Sequence, residues 1–201
     1  MKIQLIDSSQ EMCKAWESQF KGCKDVTIFH GDLFEKSCDC LISPANSFGF
    51  MDGGIDLLIS EVLGWQVEEQ LQMLIKEEHN GELLVGQAVL IETNFISIPF
   101  LISAPTMRAA MLLPKDSVNV YLASRAIFLL LKQNHHRIGT VTFSGLATGV
   151  GHVPYDICAK QMKKAYNDVW LDKFVFPDTW SEAQKNHQLL YSKTYRDLQK
   201  E

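Results

Sequence analysis

Long apolar runs are missing from this chain. No stretch approaches the roughly 20 residues that a membrane-spanning helix requires. The opening residues, Met1-Lys2-Ile3-Gln4-Leu5-Ile6-Asp7, alternate as a strand does and lack the apolar centre of a secretory leader. Neither a leader nor a membrane span is expected, and a cytoplasmic location is. Basic charge is also short: 19 Lys and Arg against 24 Asp and Glu give a net charge of −5, which leaves no broad cationic face for general nucleic-acid binding. The cysteines (Cys13, Cys23, Cys38, Cys40 and Cys158) are odd in number and form no CxxC pair, as suits reduced thiols in a cytosolic compartment. Cys38-x-Cys40 lacks a second His/Cys pair at zinc spacing, so no metal is expected. Two nucleotide motifs are absent as well. GxxxxGK[ST] does not occur and neither does GxGxxG, which disfavours nucleoside-triphosphate hydrolysis and ordinary NAD redox chemistry.

What is present is core material in an ordered alternation. Apolar residues make up 46% of the chain, enough for a sizeable core in one domain. Strands are expected at Ile3–Leu5, Val26–Phe29, Cys40–Ser43, Ala88–Ile91, Ile98–Ala104 and Thr140–Phe143. Between them, helical stripes run from a Ser8 or Ser9 cap through Met12, Ala15, Trp16 and Phe20, from Ile55 to Leu63, and from Trp65 through Ile75. A long helix capped by Asp116 or Ser117 follows, and another begins at Pro154 and runs through Val169. Strands alternating with helices give an α/β fold, and ligands in such folds bind beyond the carboxyl ends of the strands. Residues 1–173 are read as one domain and 174–201 as a helical extension, packed on it or trailing from it.

Two glycine loops lie at such strand ends. The first, Ser43-Pro44-Ala45-Asn46-Ser47-Phe48-Gly49-Phe50-Met51-Asp52-Gly53-Gly54-Ile55-Asp56, joins a strand to a helix start. The second is Ser144-Gly145-Leu146-Ala147-Thr148-Gly149-Val150-Gly151. Each offers backbone N–H donors without side-chain obstruction, and a helix N-terminus favours an anion, so a phosphate or diphosphate site is implied.

In number, order and spacing these segments resemble the macrodomains, a family that binds ADP-ribose. Ser43-Pro44-Ala45-Asn46-Ser47 is similar to the family's Asn-Ala-Ala-Asn-Ser, and Gly53-Gly54-Ile55-Asp56 to its Gly-Gly-Val-Asp. Gly86-Gln87-Ala88 resembles Gly-Glu-Ala, Ala147–Gly151 the second phosphate loop, and His30-Gly31-Asp32-Leu33 the Gly-Asp-Ile/Leu near the adenine. The resemblance covers about Val26 to Trp170. It implies a three-layer α/β/α fold with a mixed, largely parallel sheet. It also implies roles: Asp32 on the adenine amino group with Leu33 beside it, and the diphosphate held by Gly53, Gly54 and Ile55 and by Thr148, Gly149, Val150 and Gly151. Ala45, Ala147 and His152 would lie against the ligand. Asn46 would bind the distal ribose, and Asp56 would orient or deprotonate a water. The implied partner is ADP-ribose or an ADP-ribosylated protein, with no cofactor and no metal.

The departures bear on mechanism. Ser43 stands where the first Asn is usual, and Ser60 where a His closes the family's helix start. The aromatic after Thr-Gly-Val is replaced by Gly151, so the wall over the distal ribose is either missing or supplied by Phe48 or Phe50. No lysine occurs from Leu57 to Gln70, which disfavours the family's lysine chemistry, while Asn46 with Asp56 favours its MacroD-like hydrolytic branch. Residue by residue, plainer roles stay open. Asp32 can be a turn residue, Asn46 can bond its own loop, and Asp56 can complement a helix N-terminus. Arg108 is read as a surface residue or a ligand contact, and Phe174 and Phe176 as core residues or adenine-stacking partners. The functional alternatives are a hydrolase acting on a mono-ADP-ribosyl protein or O-acetyl-ADP-ribose, a non-catalytic reader, an ADP-ribose 1″-phosphate phosphatase, and a binder of another phosphorylated metabolite.

Overall fold

The computed structural model describes residues 1–198. Strand β1 (Lys2–Asp7) leads to helix α1 (Gln10–Phe20), whose first turn is capped by the Ser9 hydroxyl accepting Met12 N–H at 3.3 Å. Then come β2 (Val26–His30), β3 (Cys40–Ser43), α2 (Gly54–Leu63), α3 (Gln66–Glu78), β4 (Val89–Glu92) and β5 (Phe100–Ser103). Helix α4 (Asn119–Gln133), β6 (Thr140–Phe143), α5 (Tyr155–Ala165), a π-helical turn (Tyr166–Trp170) and α6 (Trp180–Gln188) complete the order.

The six strands form one sheet in the order β2-β1-β6-β3-β5-β4. Only the edge strand β4 is antiparallel, because a short Thr93–Pro99 turn returns it directly to β5. Alternation along the strands separates two cores. Ile3, Leu5, Ile42, Ile102, Val141 and Phe143 pack under α1, α4 and α5, while Ile6, Leu41, Leu101, Val89 and Ile91 pack under α2 and α3. This is the three-layer α/β/α sandwich with a mixed sheet that the sequence implies. Trp16 shows how tightly the first core is filled: it is fully buried, with its indole N–H 3.3 Å from Met162 Sδ. Truncation to Ala there is expected to cost about 3–5 kcal/mol.

Several details differ from the sequence expectations. Strand β5 starts at Phe100 because Ile98 and Pro99 close the turn. Helix α4 takes Val118 as its cap residue, and the Ser117 hydroxyl instead accepts Asn119 N–H at 3.3 Å. Pro154 occupies the cap position of α5 rather than its first turn. Phe174 and Phe176 are not core residues. They are 46% and 79% exposed, and Phe174 lies under the Arg125 guanidinium. Nothing in the 172–177 segment repeats with a helix or strand period, so no buried face draws them in. Helix α6 starts on a Thr179 cap, and the turn after it meets α5 through Lys160 Nζ on the Ser192 carbonyl at 2.8 Å. Among the described residues no helix is long and apolar enough to cross a membrane.

Candidate functional site

The parallel strands β1, β6, β3 and β5 end on the same side of the sheet, and a cleft of about 350 Å³ opens there. Asp7, Ser144, Pro44 and Thr106 line its floor, and the two glycine loops form its walls. The β3–β6 ladder stops at Leu41↔Thr142 while β3–β5 continues to Ser43↔Ser103, so the sheet parts where the cleft begins.

The first wall is the start of α2. Its cap residue is Gly53, which offers no side-chain cap, and Gly53, Gly54, Ile55 and Asp56 all line the cleft. The first-turn N–H groups therefore remain for a ligand, at the positive end of the helix. Gly54 has φ +58°, a conformation that side chains resist, and a Cβ on Gly53 or Gly54 would meet nothing within 4 Å on the protein side.

The second wall is the loop after β6. Gly145 N–H donates to Asp7 Oδ2 at 3.0 Å, Thr148 Oγ1 to the Gly145 carbonyl at 3.2 Å, and Val153 N–H to the Ala147 carbonyl at 3.1 Å. These bonds fold the loop back on itself, and Ala147 takes a left-handed φ of +57° to permit it. Thr148, Gly149, Val150 and Gly151 line the cleft, and among the described residues no backbone carbonyl takes their N–H groups. The departure at Gly151 now has a steric reason, because a Cβ there would stand 2.6 Å from the Ala147 carbonyl oxygen. Phe50, 55% exposed, is the aromatic that lines the cleft, whereas Phe48 lies beneath the Arg108 guanidinium at 4.9 Å.

Asp56, in the first turn of α2, lines the cleft from the side of that helix. It is only 7% exposed and accepts a 2.7 Å hydrogen bond from Ser43 Oγ. Burial pushes its carboxyl up to about 6 from the ordinary 3.8, against the Ser43 hydrogen bond, which pulls it down. The carboxylate is thus mostly ionised at neutral pH but is a far better proton acceptor than an exposed aspartate. In the sequence Ser43 is a departure from the family pattern. The signal available was a small polar residue ending an apolar strand that faces a helix start.

The remaining residues divide. Asn46 and Ala45 line the cleft. Asn46 also bonds its own loop: Oδ1 accepts Phe48 N–H at 3.1 Å and Phe50 N–H at 3.3 Å, and Nδ2 donates to the Phe50 carbonyl at 2.7 Å. Buried Ser60 donates to the Met51 carbonyl at 3.2 Å and so steadies the same loop. Asp32, Leu33 and His152 are not among the cleft-lining residues. Asp32 is exposed with Oδ1 on Phe34 N–H at 2.8 Å, Leu33 is buried in the α2–α3 core, and His152 is exposed in the turn after the second loop. Arg108 pairs with Glu82 through two bonds, at 2.7 and 3.2 Å, and does not line the cleft; Phe174 and Phe176 do not either. Among the described residues no lysine or arginine lines the cleft, so its anion-binding capacity is carried by backbone N–H groups and the α2 dipole. The arrangement can hold an extended anionic ligand against two sets of N–H donors, with one deeply buried carboxylate at its side.

Comparison with known proteins agrees with this architecture. The Macro domain family model matches residues 42–162, which include both loops and Asp56. An uncharacterised protein of Aquifex aeolicus is 30% identical over 138 residues, 69% of this chain and 78% of the relative. O-acetyl-ADP-ribose deacetylase 1 of Pantoea vagans is 24% identical over 136 residues, 68% of this chain and 77% of the relative. Among solved structures, a variant of the Oceanobacillus iheyensis macrodomain with ADPR superposes with a TM-score of 0.61 at 17% identity, covering 80% of this chain and 86% of the other. With the family model spanning the strand ends, both backbone-donor loops and the helix that carries Asp56, the chain belongs to the Macro domain family.

Proposed function

We propose that the cleft binds ADP-ribose and that the protein hydrolyses an ADP-ribose derivative. The observation that carries this reading is the pair of uncapped backbone-donor loops facing each other with Asp56 buried behind one of them. The N–H groups of Gly54 and Ile55 and those of Thr148 to Gly151 hold the diphosphate. Phe50 lies over the distal ribose. The adenine end extends toward the loop after β2, where Asp32 has one carboxylate oxygen on Phe34 N–H and the other for the adenine amino group.

For a mono-ADP-ribosyl acidic side chain, Asp56 accepts a proton from a water as the water oxygen bonds to the anomeric carbon of the distal ribose. The bond from that carbon to the acceptor oxygen breaks, and the acceptor leaves as a carboxylate, which needs no acid. With O-acetyl-ADP-ribose, the reaction named for the Pantoea vagans relative, the same water attacks the acetyl carbonyl carbon, the ester bond to the ribose oxygen breaks, and the proton taken up by Asp56 passes to that departing oxygen, releasing acetate and ADP-ribose. Asn46 aligns the distal ribose with its remaining amide N–H and fixes the Phe48–Phe50 backbone with its other bonds. On this reading the chain belongs with the MacroD-like hydrolytic branch. Residues 1–173 are the catalytic domain, and 174–201, of which 199–201 lie outside the described residues, is the appended extension.

A second reading, a non-catalytic reader of ADP-ribose, draws on the same bonds of Asn46, because an amide tied to its own loop serves affinity as readily as turnover. The deciding experiment compares ADP-ribose binding and release of ADP-ribose from a modified protein for wild type, Asn46→Ala and Asp56→Ala. Binding retained with release abolished in Asp56→Ala supports hydrolysis. Tight binding by wild type without release from any linkage, ADP-ribose 1″-phosphate and O-acetyl-ADP-ribose included, leaves the reader. Folded wild type that does not bind ADP-ribose refutes the assignment in favour of another phosphorylated metabolite.

A further inference from the structure

The parallel strands β3 and β5 end in serine, and a third serine follows the last residue of β6 directly. Ser43 is paired in register with Ser103 across β3–β5, and the β3–β6 register Leu41↔Thr142, carried two residues on, sets Ser144 level with Ser43. Alternation puts Ser43 and Ser103 toward α2, since Leu41 and Leu101, two residues back along their strands, pack in the α2–α3 core, and puts Ser144 on the same side, since Val141 and Phe143 of β6 pack in the opposite core. The three hydroxyls fare differently. Ser43 Oγ donates to Asp56, whereas the Oγ atoms of Ser103 and Ser144 are buried without a hydrogen-bond partner. Buried hydroxyls are satisfied in the great majority of proteins, so each orphan calls for an account. Ser103 is fully buried and does not line the cleft. Ser144, 4% exposed, does line it, on the β6 side of the parting between the strands and at the start of the second glycine loop.

We propose that Ser144 is a ligand-binding residue whose hydroxyl, at the floor of the cleft between the two loops, donates a hydrogen bond to an oxygen of the ligand's diphosphate. The inference rests on the ADP-ribose reading. The loops supply N–H donors from the sides, and Ser144 supplies the donor from below, beside Asp7, whose carboxylate oxygens accept Gly145 N–H and Ser9 N–H. A turn about χ1 is all the hydroxyl needs to meet an oxygen pressed onto the floor. The anion is then held by uncharged hydrogen-bond donors, since among the described residues no lysine or arginine lines the cleft. Ser103 has the same burial and the same orphaned hydroxyl without access to the cleft, which makes it a built-in control.

The test is calorimetric titration of wild type, Ser144→Ala, Ser144→Cys and Ser103→Ala with ADP-ribose and with ADP, alongside thermal melts. Ser144→Ala is expected to weaken both ligands about tenfold, as befits loss of a hydrogen bond to a charged group. Ser144→Cys, of nearly the same size but a poor donor, should follow it, and Ser103→Ala should stay within about twofold of wild type. Neither alanine variant should melt below wild type, because neither hydroxyl bonds a protein group. Unchanged binding by Ser144→Ala overturns the assignment, as does a loss confined to ADP-ribose, an equal loss in Ser103→Ala, or a melting point well below wild type. Failure of wild type itself to bind ADP-ribose is a different result: it refutes the reading of the cleft and takes this assignment with it.

Discussion

Replacing Asp56 with Asn isolates the energetic consequence of burying a carboxylate beside a single hydroxyl. The Asp56 carboxyl titrates near 6 in the folded protein, against 3.8 ordinarily, because burial outweighs the Ser43 hydrogen bond. A carboxyl whose folded pKa lies above its unfolded value holds its proton more tightly when folded. Its contribution to stability is therefore fully present below about pH 4 and is lost as the pH rises through about 6. At about 1.4 kcal/mol per decade the displacement amounts to about 3 kcal/mol, and about half of it develops between pH 5 and pH 8. The amide introduced by Asp56→Asn does not titrate. The stability difference between Asp56→Asn and wild type should thus grow by about 3 kcal/mol in the mutant's favour from strongly acidic pH to pH 8. For a chain of this length that corresponds to a relative change in Tm of about 6–12 °C. Whatever the amide itself costs in the buried site is a constant offset and drops out of the pH dependence. Urea denaturation of both proteins at pH 5, 6, 7 and 8 measures it. A difference that stays flat across this range would refute the account of Asp56, and with it the basis for treating this residue as the proton acceptor.

Other substitutions test other parts of the site. Ser43→Ala removes its hydrogen bond to the Asp56 carboxylate, so the Asp56 pKa should rise further and stability at pH 8 should fall by about 1.5–3 kcal/mol, with a smaller loss at pH 5; pH-dependent denaturation checks both. Gly151→Ala drives a Cβ to 2.6 Å from the Ala147 carbonyl oxygen and should destabilise the protein by about 1–3 kcal/mol in chemical denaturation. Gly149→Ala meets nothing within 4 Å, should leave stability within about 0.5 kcal/mol, and should still weaken ADP-ribose binding measured by calorimetry, because its methyl enters the cleft. Asn46→Ala breaks three bonds to the Phe48–Phe50 backbone and should lower Tm as well as any turnover, so loss of activity counts toward ribose contact only where the melting point is retained.

Much of this molecule is legible in the sequence because its signals are local. Six apolar segments ended by turn residues became the six strands, and Ser9 ahead of Met12, Trp16 and Phe20 marked a helix start that the structure keeps. The glycine loops were legible for the same reason, since backbone donors need only small residues after a strand and before a helix. What was hidden depends on register or on distance. Asp7, Thr106 and Ser144 reach the cleft from strand ends far apart in the chain, and only the strand order β1-β6-β3-β5 brings them together. Asp32 and Asn46 were ambiguous in principle. The group that can bind an adenine or a ribose is also the group that closes an Asx turn, and the structure shows both engaged in their own loops.

The departures from family pattern carry a physical lesson about what can drift in such a site. At Gly151 the backbone of Ala147 lies too close for any side chain, and the cleft's aromatic comes from Phe50 on the opposite loop. An aromatic wall can come from either side of a cleft whose ligand is fixed by main-chain N–H groups, because those groups do not depend on which side chains surround them. Side-chain identity is restrictive only where a charge must be buried. Asp56 is such a place, since its desolvated carboxylate needs a donor, and Ser43 supplies one from the end of β3 where the family has an amide. On the proposed hydrolase reading, the pair Ser43–Asp56 rather than the glycine loops carries the proton transfer. A reader gains nothing from a carboxylate held near neutrality under its ligand, and an Asp56 that titrates near 3.8 in the folded protein would remove the physical case for turnover while leaving the binding cleft intact.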